Sequence, residues 1–299
     1  MTKERIGFIG VGFMGHGMAK NMLAKGYDIT IMGNKNRTPV ESLVASGAKE
    51  VKTAAEVAAN SDVLHLCLTD SPTIELVARQ KGGIKDGAHK GMVIIDTSTA
   101  NPVSTEALAA EFAALGVDFV DAPLGGTPVQ AEAGQLTAMV GADRAVFDRV
   151  KPVMECWAAK IVHLGPVGAG HKMKLLNNFL SMGYAAIYAE ALALGKKVGI
   201  SVETFDSVVR GGRMDCGFYQ TFMGYALEGN PEAHKFALQN GFKDLRYVDA
   251  MANAAKMSNP ISSAAKNLFG AAVGSGYGEK YVPFLSDYVA DINGVGKKR

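Results

Sequence analysis

The chain has 299 residues, more than a single hydrophobic core comfortably fills, so two domains of ordinary size are expected. Hydrophobic residues make up 48% and charged residues 20%, a composition that excludes an intrinsically disordered chain. The 31 basic and 29 acidic residues leave a formal charge of +2, and no basic run exceeds Lys297-Lys298-Arg299, so the footprint of a nucleic-acid or membrane-surface binder is missing and small-molecule chemistry is expected.

Met1-Thr2-Lys3-Glu4-Arg5 passes directly into the strand-like Ile6-Gly7-Phe8-Ile9-Gly10, leaving no room for the apolar core of a signal peptide. Short apolar runs at 6–9, 29–32, 63–68, 93–95, 119–120, 136–140 and 161–164 predict strands. Segments rich in Ala, Leu and Glu, such as 14–25 and 105–115, separate several of these runs at βαβ spacing. The first half therefore reads as an α/β, doubly wound sheet of Rossmann type. After Gly165-Pro166-Val167-Gly168-Ala169-Gly170 the strand signals stop, and 171–198 reads as one long helix without proline. The expected division is a Rossmann domain at 1–164 and an all-α domain at 165–299, joined by that helix. Leu176, Leu180, Ile187 and Leu194 exceed what one side of the helix needs to bury, which predicts a homo-oligomer, dimer or tetramer. No uncharged apolar run approaches the roughly 18 residues of a membrane span. Cys67, Cys156 and Cys216 lack disulfide or zinc spacing, and the six histidines form no HExxH, so a soluble, cytoplasmic, metal-free protein is expected.

Gly10-Val11-Gly12-Phe13-Met14-Gly15 is a GxGxxG that follows a strand and opens a helix. Glycines there permit a tight turn and close backbone approach to a pyrophosphate, and the helix N-terminus offers N–H groups and a positive dipole end. The second strand ends at Met32, where a site specific for NAD usually presents an acid to the adenosine ribose. Gly33-Asn34-Lys35-Asn36-Arg37-Thr38 offers amides and two cations instead, the chemistry that accepts a 2′-phosphate. NADP(H) is favoured on that ground, with NAD(H) possible.

The fingerprint with Met14, continued as Gly17-Met18-Ala19-Lys20-Asn21, resembles the start of the β-hydroxyacid dehydrogenase family, which includes 3-hydroxyisobutyrate dehydrogenase and tartronate semialdehyde reductase and has 6-phosphogluconate dehydrogenase as a relative. Asp121-Ala122-Pro123-Leu124-Gly125-Gly126-Thr127 resembles the family's substrate-binding loop. Gly168-Ala169-Gly170-His171-Lys172-Met173-Lys174-Leu175-Leu176-Asn177-Asn178 resembles its catalytic helix, and Phe242-Lys243-Asp244-Leu245 its later cofactor-contacting motif. These segments keep the family's order and run from the first strand into the C-terminal third.

The resemblance implies that Lys174 is the proton donor and acceptor, with Asn178 orienting substrate or lysine. Lys174 and Asn178 lie four apart and so project from one helix face. A desolvated lysine can exchange a proton near neutral pH. Lys172 points elsewhere and is assigned no role. The resemblance also implies cofactor contacts at Leu68, Thr69 and Asp70, at Thr99 after the fourth predicted run, and at Lys243. Leu124, Gly125, Gly126 and Thr127 are expected to hold the substrate, with bare backbone N–H groups turned to an anion and the Thr127 hydroxyl beside them. The family's usual Ser-Gly-Gly is Gly125-Gly126-Thr127 here, so the substrate itself is not fixed by the motif. Arg213, in Arg210-Gly211-Gly212-Arg213, is placed to bind a distal anion. The expected activity is NADP(H)-dependent interconversion of a small β-hydroxyacid, or a similar short anionic alcohol, with its aldehyde or ketone. Alternatives are a reductase of a sulfonate- or phosphonate-bearing carbonyl compound, an imine reductase on the same fold, which Lys174 argues against, and a non-catalytic binding homologue.

Overall fold

The computed structural model describes residues 3–296; Met1, Thr2 and the terminal Lys297-Lys298-Arg299 lie outside the described residues. Strands β1 (Ile6–Ile9), β2 (Ile29–Met32), β3 (Lys49–Val51), β4 (Val63–Leu66), β5 (Val93–Asp96), β6 (Asp118–Asp121), β7 (Leu124–Gly125), β8 (Leu136–Gly141) and β9 (Ala158–Gly165) form one sheet. Its order is β3-β2-β1-β4-β5-β6-β8-β7, with β9 paired to β8. The first six strands are mutually parallel, the doubly wound order 3-2-1-4-5-6. β8 runs antiparallel to β6 and β7, and β9 runs parallel to β8.

Each apolar run follows from burial on both faces. Ile6, Phe8, Ile31, Val63, Val93, Ile95 and Val120 point to one core, which is covered by helices Gly15–Ala24, Thr38–Ala45 and Arg144–Met154. Ile9, Leu64, Leu66, Ile94 and Phe119 point to the other, under Ala54–Ala59, Ser71–Arg79 and Pro102–Ala113. Successive strand residues thus alternate between two buried faces, and no hydrophobic–polar alternation survives in the sequence. One polar residue shares the first core. His65 of β4 is fully buried, stacked on Phe8 with ring centroids 5.4 Å apart and edge-on to Trp157, and neither ring nitrogen has a hydrogen-bond partner. Burial pushes its pKa down to about 3.

The chain divides into two compact units, Met1–Lys174 and Leu175–Arg299. β9 closes at Gly165, next to the expected boundary, but the helix after it, Ala169–Lys197, is continuous, and the division falls within it. In the second unit Val202–Val209, Gly217–Ala226, Leu238–Ala254, Pro260–Ala272 and Leu285–Ile292 pack around Tyr219, Phe222, Leu238, Phe269 and Leu285. Among its described residues there is no strand beyond the isolated bridge of Ala237 with Tyr281. Along the long helix Met182, Ala185, Ala189 and Leu192 are buried, whereas Leu176, Leu180, Ile187 and Leu194 are 47%, 55%, 57% and 62% exposed, a continuous apolar stripe on the other side. Among the described residues no helix is long and apolar enough to cross a membrane.

Candidate active site

The parallel strands end along one edge, and the candidate residues of the first unit collect there. β1 has β2 on one side and β4 on the other, so the strand order reverses at its carboxyl end, the place where such sheets bind ligands. Gly10, with φ +100°, starts the turn in a conformation that favours glycine, and a Cβ at this residue would fall on the Cys67 carbonyl. A Cβ at Gly15 would fall on the Gly10 carbonyl, whereas nothing stands within 4 Å of the corresponding point at Gly12. The turn is therefore closed toward the protein and open toward solvent at its middle glycine. Phe13 is exposed and Met14, half-buried, takes the N-cap place of helix Gly15–Ala24 without a side-chain hydrogen bond; no acid lies in the first turn. A positive helix end and an unobstructed glycine fit a dinucleotide pyrophosphate.

The loop after β2 is exposed at Asn34, Lys35, Asn36 and Arg37. Its amides shape it locally: Asn34 Oδ1 accepts the Lys35 N–H at 2.8 Å and Asn36 Oδ1 the Thr38 N–H at 3.3 Å. Arg37 is not an idle cation. Its Nη1 and Nη2 donate to Glu50 Oε1 and Oε2 at 2.7 and 2.8 Å, a bidentate pair that raises the guanidinium pKa and lowers that of the carboxyl. Glu50 lies on β3, a short charged strand with no apolar run, and the sequence reading passed over it.

At the ends of β4 and β5 polar side chains fix the backbone. Thr97 Oγ1 donates to the Leu66 carbonyl at 2.7 Å, Ser98 Oγ accepts the Leu68 N–H at 2.9 Å, and Asp96 Oδ1 accepts the Ser98 N–H at 3.0 Å. Thr99 follows, half-buried, and Thr69 is exposed. Asp70 is engaged as the N-cap of Ser71–Arg79, taking the Thr73 N–H at 2.9 Å.

The end of β6 is closed around Asp121. Its Oδ1 accepts the Gly168 N–H at 2.6 Å and its Oδ2 the His171 N–H at 2.7 Å, so one buried carboxylate caps the start of the helix Ala169–Lys197. Burial pushes the Asp121 pKa up against these hydrogen bonds. The His171 ring, also fully buried, donates from Nε2 to the Ser98 carbonyl at 3.1 Å and meets Thr105 Oγ1 through Nδ1 at 2.8 Å. No sequence pattern announced Asp121 or His171 as a lock, because the bonds join a side chain to backbone N–H groups far along the chain.

Lys174, half-buried, follows on the same helix, and Lys172, exposed, is paired with Glu106 at 2.6 Å. One turn beyond Lys174, Asn178 is 7% exposed and donates from Nδ2 to Asp244 Oδ2 at 2.6 Å. Lys243 Nζ lies 3.2 Å from Asp244 Oδ1 and 5.3 Å from the centre of the Tyr247 ring. Asp244, inside the quoted Phe242-Lys243-Asp244-Leu245 motif but given no role, is thus the residue that holds Asn178.

In the candidate substrate loop Leu124 is buried and Gly125 pairs with Thr137 of β8. Gly126 adopts φ +125°, again a glycine conformation. The Thr127 N–H donates to Gln130 Oε1 at 2.8 Å, which corrects the expectation of a run of bare N–H groups: Thr127 has turned its own inward to start the short helix Pro128–Glu132. That helix packs on the one leaving the glycine turn. His16 and Lys20 reach Glu132 at 2.5 and 2.9 Å, and Asn21 Nδ2 reaches the Ala131 carbonyl at 3.0 Å. The glycine turn and the candidate substrate loop are therefore neighbours in the first unit. In the second unit Arg213 is exposed, while Arg210 is tied to Asp206 at 2.7 Å. Among the described residues no cluster of His, Cys, Asp or Glu could hold a metal ion.

An open glycine turn at the switch point of a 3-2-1-4-5-6 sheet marks a dinucleotide-binding protein of Rossmann type. The comparisons narrow this class. The family model for the NAD binding domain of 6-phosphogluconate dehydrogenase matches residues 5–165, and that described as NAD-binding of NADP-dependent 3-hydroxyisobutyrate dehydrogenase matches 168–282. The chain is 35% identical to 2-(hydroxymethyl)glutarate dehydrogenase of Eubacterium barkeri over 91% of both proteins. It is 31% identical to 2-hydroxy-3-oxopropionate reductase of Escherichia coli over 91% of this chain and 92% of the relative. The solved 3-hydroxyisobutyrate dehydrogenase of Mycobacterium tuberculosis shares the fold at a TM-score of 0.85 with 24% identity, covering 96% of this chain and 99% of that one. The chain belongs to the β-hydroxyacid dehydrogenase family.

Proposed function

We propose that the protein interconverts a small β-hydroxyacid, or a similar short anionic alcohol, with its aldehyde or ketone, and that it favours NADP(H) over NAD(H). The observation that carries the reading is Lys174, half-buried on a helix whose first turn is capped by the buried Asp121 and one turn before an Asn178 that Asp244 holds in place. The nicotinamide, when bound, supplies or receives the hydride. Lys174 gives a proton to the substrate carbonyl oxygen in reduction and takes it back in oxidation. Asn178 spends one amide hydrogen on Asp244 and keeps its Oδ1 and second N–H for the lysine or the substrate oxygen. Gly10, Gly12, Phe13, Met14 and Gly15 line the pyrophosphate, with Leu68, Thr69, Thr99 and Lys243 along the rest of the cofactor. Leu124, Gly125, Gly126 and Thr127 receive the substrate, and Arg213 its distal anion. The missing acid after Met32, with Lys35 and Arg37 in its place, supports NADP(H). The exposed stripe Leu176, Leu180, Ile187 and Leu194 supports a homo-oligomer, dimer or tetramer, and three free cysteines suit a reducing cytoplasm.

The test is a spectrophotometric screen of short semialdehydes, β-hydroxyacids, sulfonates, phosphonates and cyclic imines with both cofactors. Turnover of a short hydroxyacid or semialdehyde, faster with NADPH than with NADH, is the expected result. Turnover of cyclic imines alone overturns the reading. A monomeric mass by light scattering at micromolar concentration removes the oligomer.

A further inference from the structure

Residue 33, the first after β2, is a glycine, and its missing side chain leaves a space that is filled from the neighbouring strand. A Cβ built on Gly33 would fall directly on Arg37 Nη1 and on Glu50 Oε1. The carboxylate of Glu50 thus stands where the side chain of residue 33 would begin, at the strand end where a dinucleotide site offers its acid to the adenosine ribose. β3 pairs with β2 in parallel, Ile31 beside Glu50 and Met32 beside Val51, so the position is set by the sheet and not by a loose loop. Both carboxylate oxygens are bound by Arg37, and the pair remains open to solvent, with 48% of the arginine side chain and 31% of the glutamate side chain exposed.

We propose that Glu50 is the specificity-determining residue of the adenosine end: it stands in for the ribose-binding acid that Gly33 lacks, and it competes with a cofactor's 2′-phosphate for Arg37. This rests on the dinucleotide reading of the glycine turn and deepens the cofactor preference proposed above. A 2′-hydroxyl can donate to the Glu50 carboxylate while Arg37 stays paired. A 2′-phosphate, carrying close to two negative charges, gains Arg37 only by loosening the pair. Arg37 therefore pulls the preference toward NADP(H) and Glu50 pulls it back, which leaves a site that admits both cofactors.

The test is equilibrium binding by calorimetry of NADP+, NAD+, 2′,5′-ADP and 5′-AMP to the full chain, its Glu50→Gln and Arg37→Ala variants and the double variant, at low and high salt. Glu50→Gln keeps the shape and one hydrogen bond to Arg37 while removing the charge. It is expected to tighten NADP+ and 2′,5′-ADP by about five- to tenfold at low salt, the scale of one to two solvated charge contacts, and to weaken NAD+ by about two- to threefold. The gain shrinks as salt screens the charges and largely disappears when Arg37 is alanine. An unchanged NADP+/NAD+ ratio in Glu50→Gln overturns the proposal, and so does a gain of equal size without Arg37, which would make Glu50 a remote charge and not a competitor. The wild-type ratio tests the cofactor preference separately. A wild type that binds NAD+ more tightly, yet is moved toward NADP+ by Glu50→Gln, refutes that preference and sustains the role of Glu50.

Discussion

Two carboxylates at the same edge of the sheet have opposite surroundings. Glu50, beside β2, is solvent-accessible and held below the usual carboxylate range by Arg37; Asp121, at the end of β6, is fully buried and pushed up by burial while two backbone N–H groups hold it. An exposed pair is screened by salt and contributes little to stability, so its members can change partner when a ligand arrives. A buried carboxylate with both oxygens engaged cannot move without leaving N–H groups unsatisfied. On the proposed function the contrast divides the labour of the site: the β2 end would adjust to a cofactor, while the β6 end fixes the start of the helix that carries Lys174.

The strongest way to break that division is Lys174→Ala. General acid catalysis contributes roughly 10²–10⁴-fold, so turnover should fall by at least about a hundredfold while the cofactor dissociation constant shifts by less than a few-fold. Retention of more than about a tenth of wild-type turnover on a demonstrated substrate would exclude proton transfer by this residue. Asp121→Asn comes next. An amide nitrogen facing the Gly168 or His171 N–H leaves a buried donor unpaired, and chemical denaturation should show a loss of about 1–3 kcal/mol that salt does not alter. An unchanged midpoint would mean that the start of the helix is held by packing alone.

His65 sharpens the same contrast through pH. Its folded-state pKa, about 3, lies below the unfolded value near 6.5, so the unfolded chain takes up the proton first. The stability that neutral His65 contributes is therefore complete above pH 6.5 and is lost as pH falls toward 3, by about 2 kcal/mol at pH 5. In His65→Leu that part of the slope should vanish from denaturation midpoints taken between pH 7.5 and 5; an identical slope in both proteins would rule His65 out as its source. The smallest effect belongs to the open end. Arg37→Ala should raise the Michaelis constant for NADPH by about fivefold, leave that for NADH nearly unchanged, and lose its effect at high salt. An equal change for both cofactors would contradict a contact with the 2′-phosphate.

The halves of the site also differed in how plainly the sequence displayed them. The glycine turn and the strands buried on both faces were legible, because Gly10–Gly15 and the apolar runs owe their pattern to local geometry. β3 was not, since Lys49-Glu50-Val51 is a short, charged edge strand with nothing to mark it. β7 escaped because two residues make no period. Arg37 was visible and its partner was not, so a committed cation read as a vacant one. Asp121 and His171 both lie within motifs, but the Asp121 carboxylate accepts from the backbone N–H groups of Gly168 and His171, 47 and 50 residues on, and backbone donors carry no sequence mark. Asp244 could have been found by asking what a buried Asn178 would donate to.

The helix that begins at Gly15 has no side-chain cap, so a ligand seated on its first turn would add to the durability of the fold from outside the polypeptide. A ligand that binds only the folded chain and is present at a hundred times its dissociation constant adds about 2.7 kcal/mol to unfolding, close to a hundredfold fewer unfolded molecules. Proteases that act on transiently opened chains would then cut the empty enzyme first. A dinucleotide bound at that turn would then protect the folded chain as well as serve its chemistry.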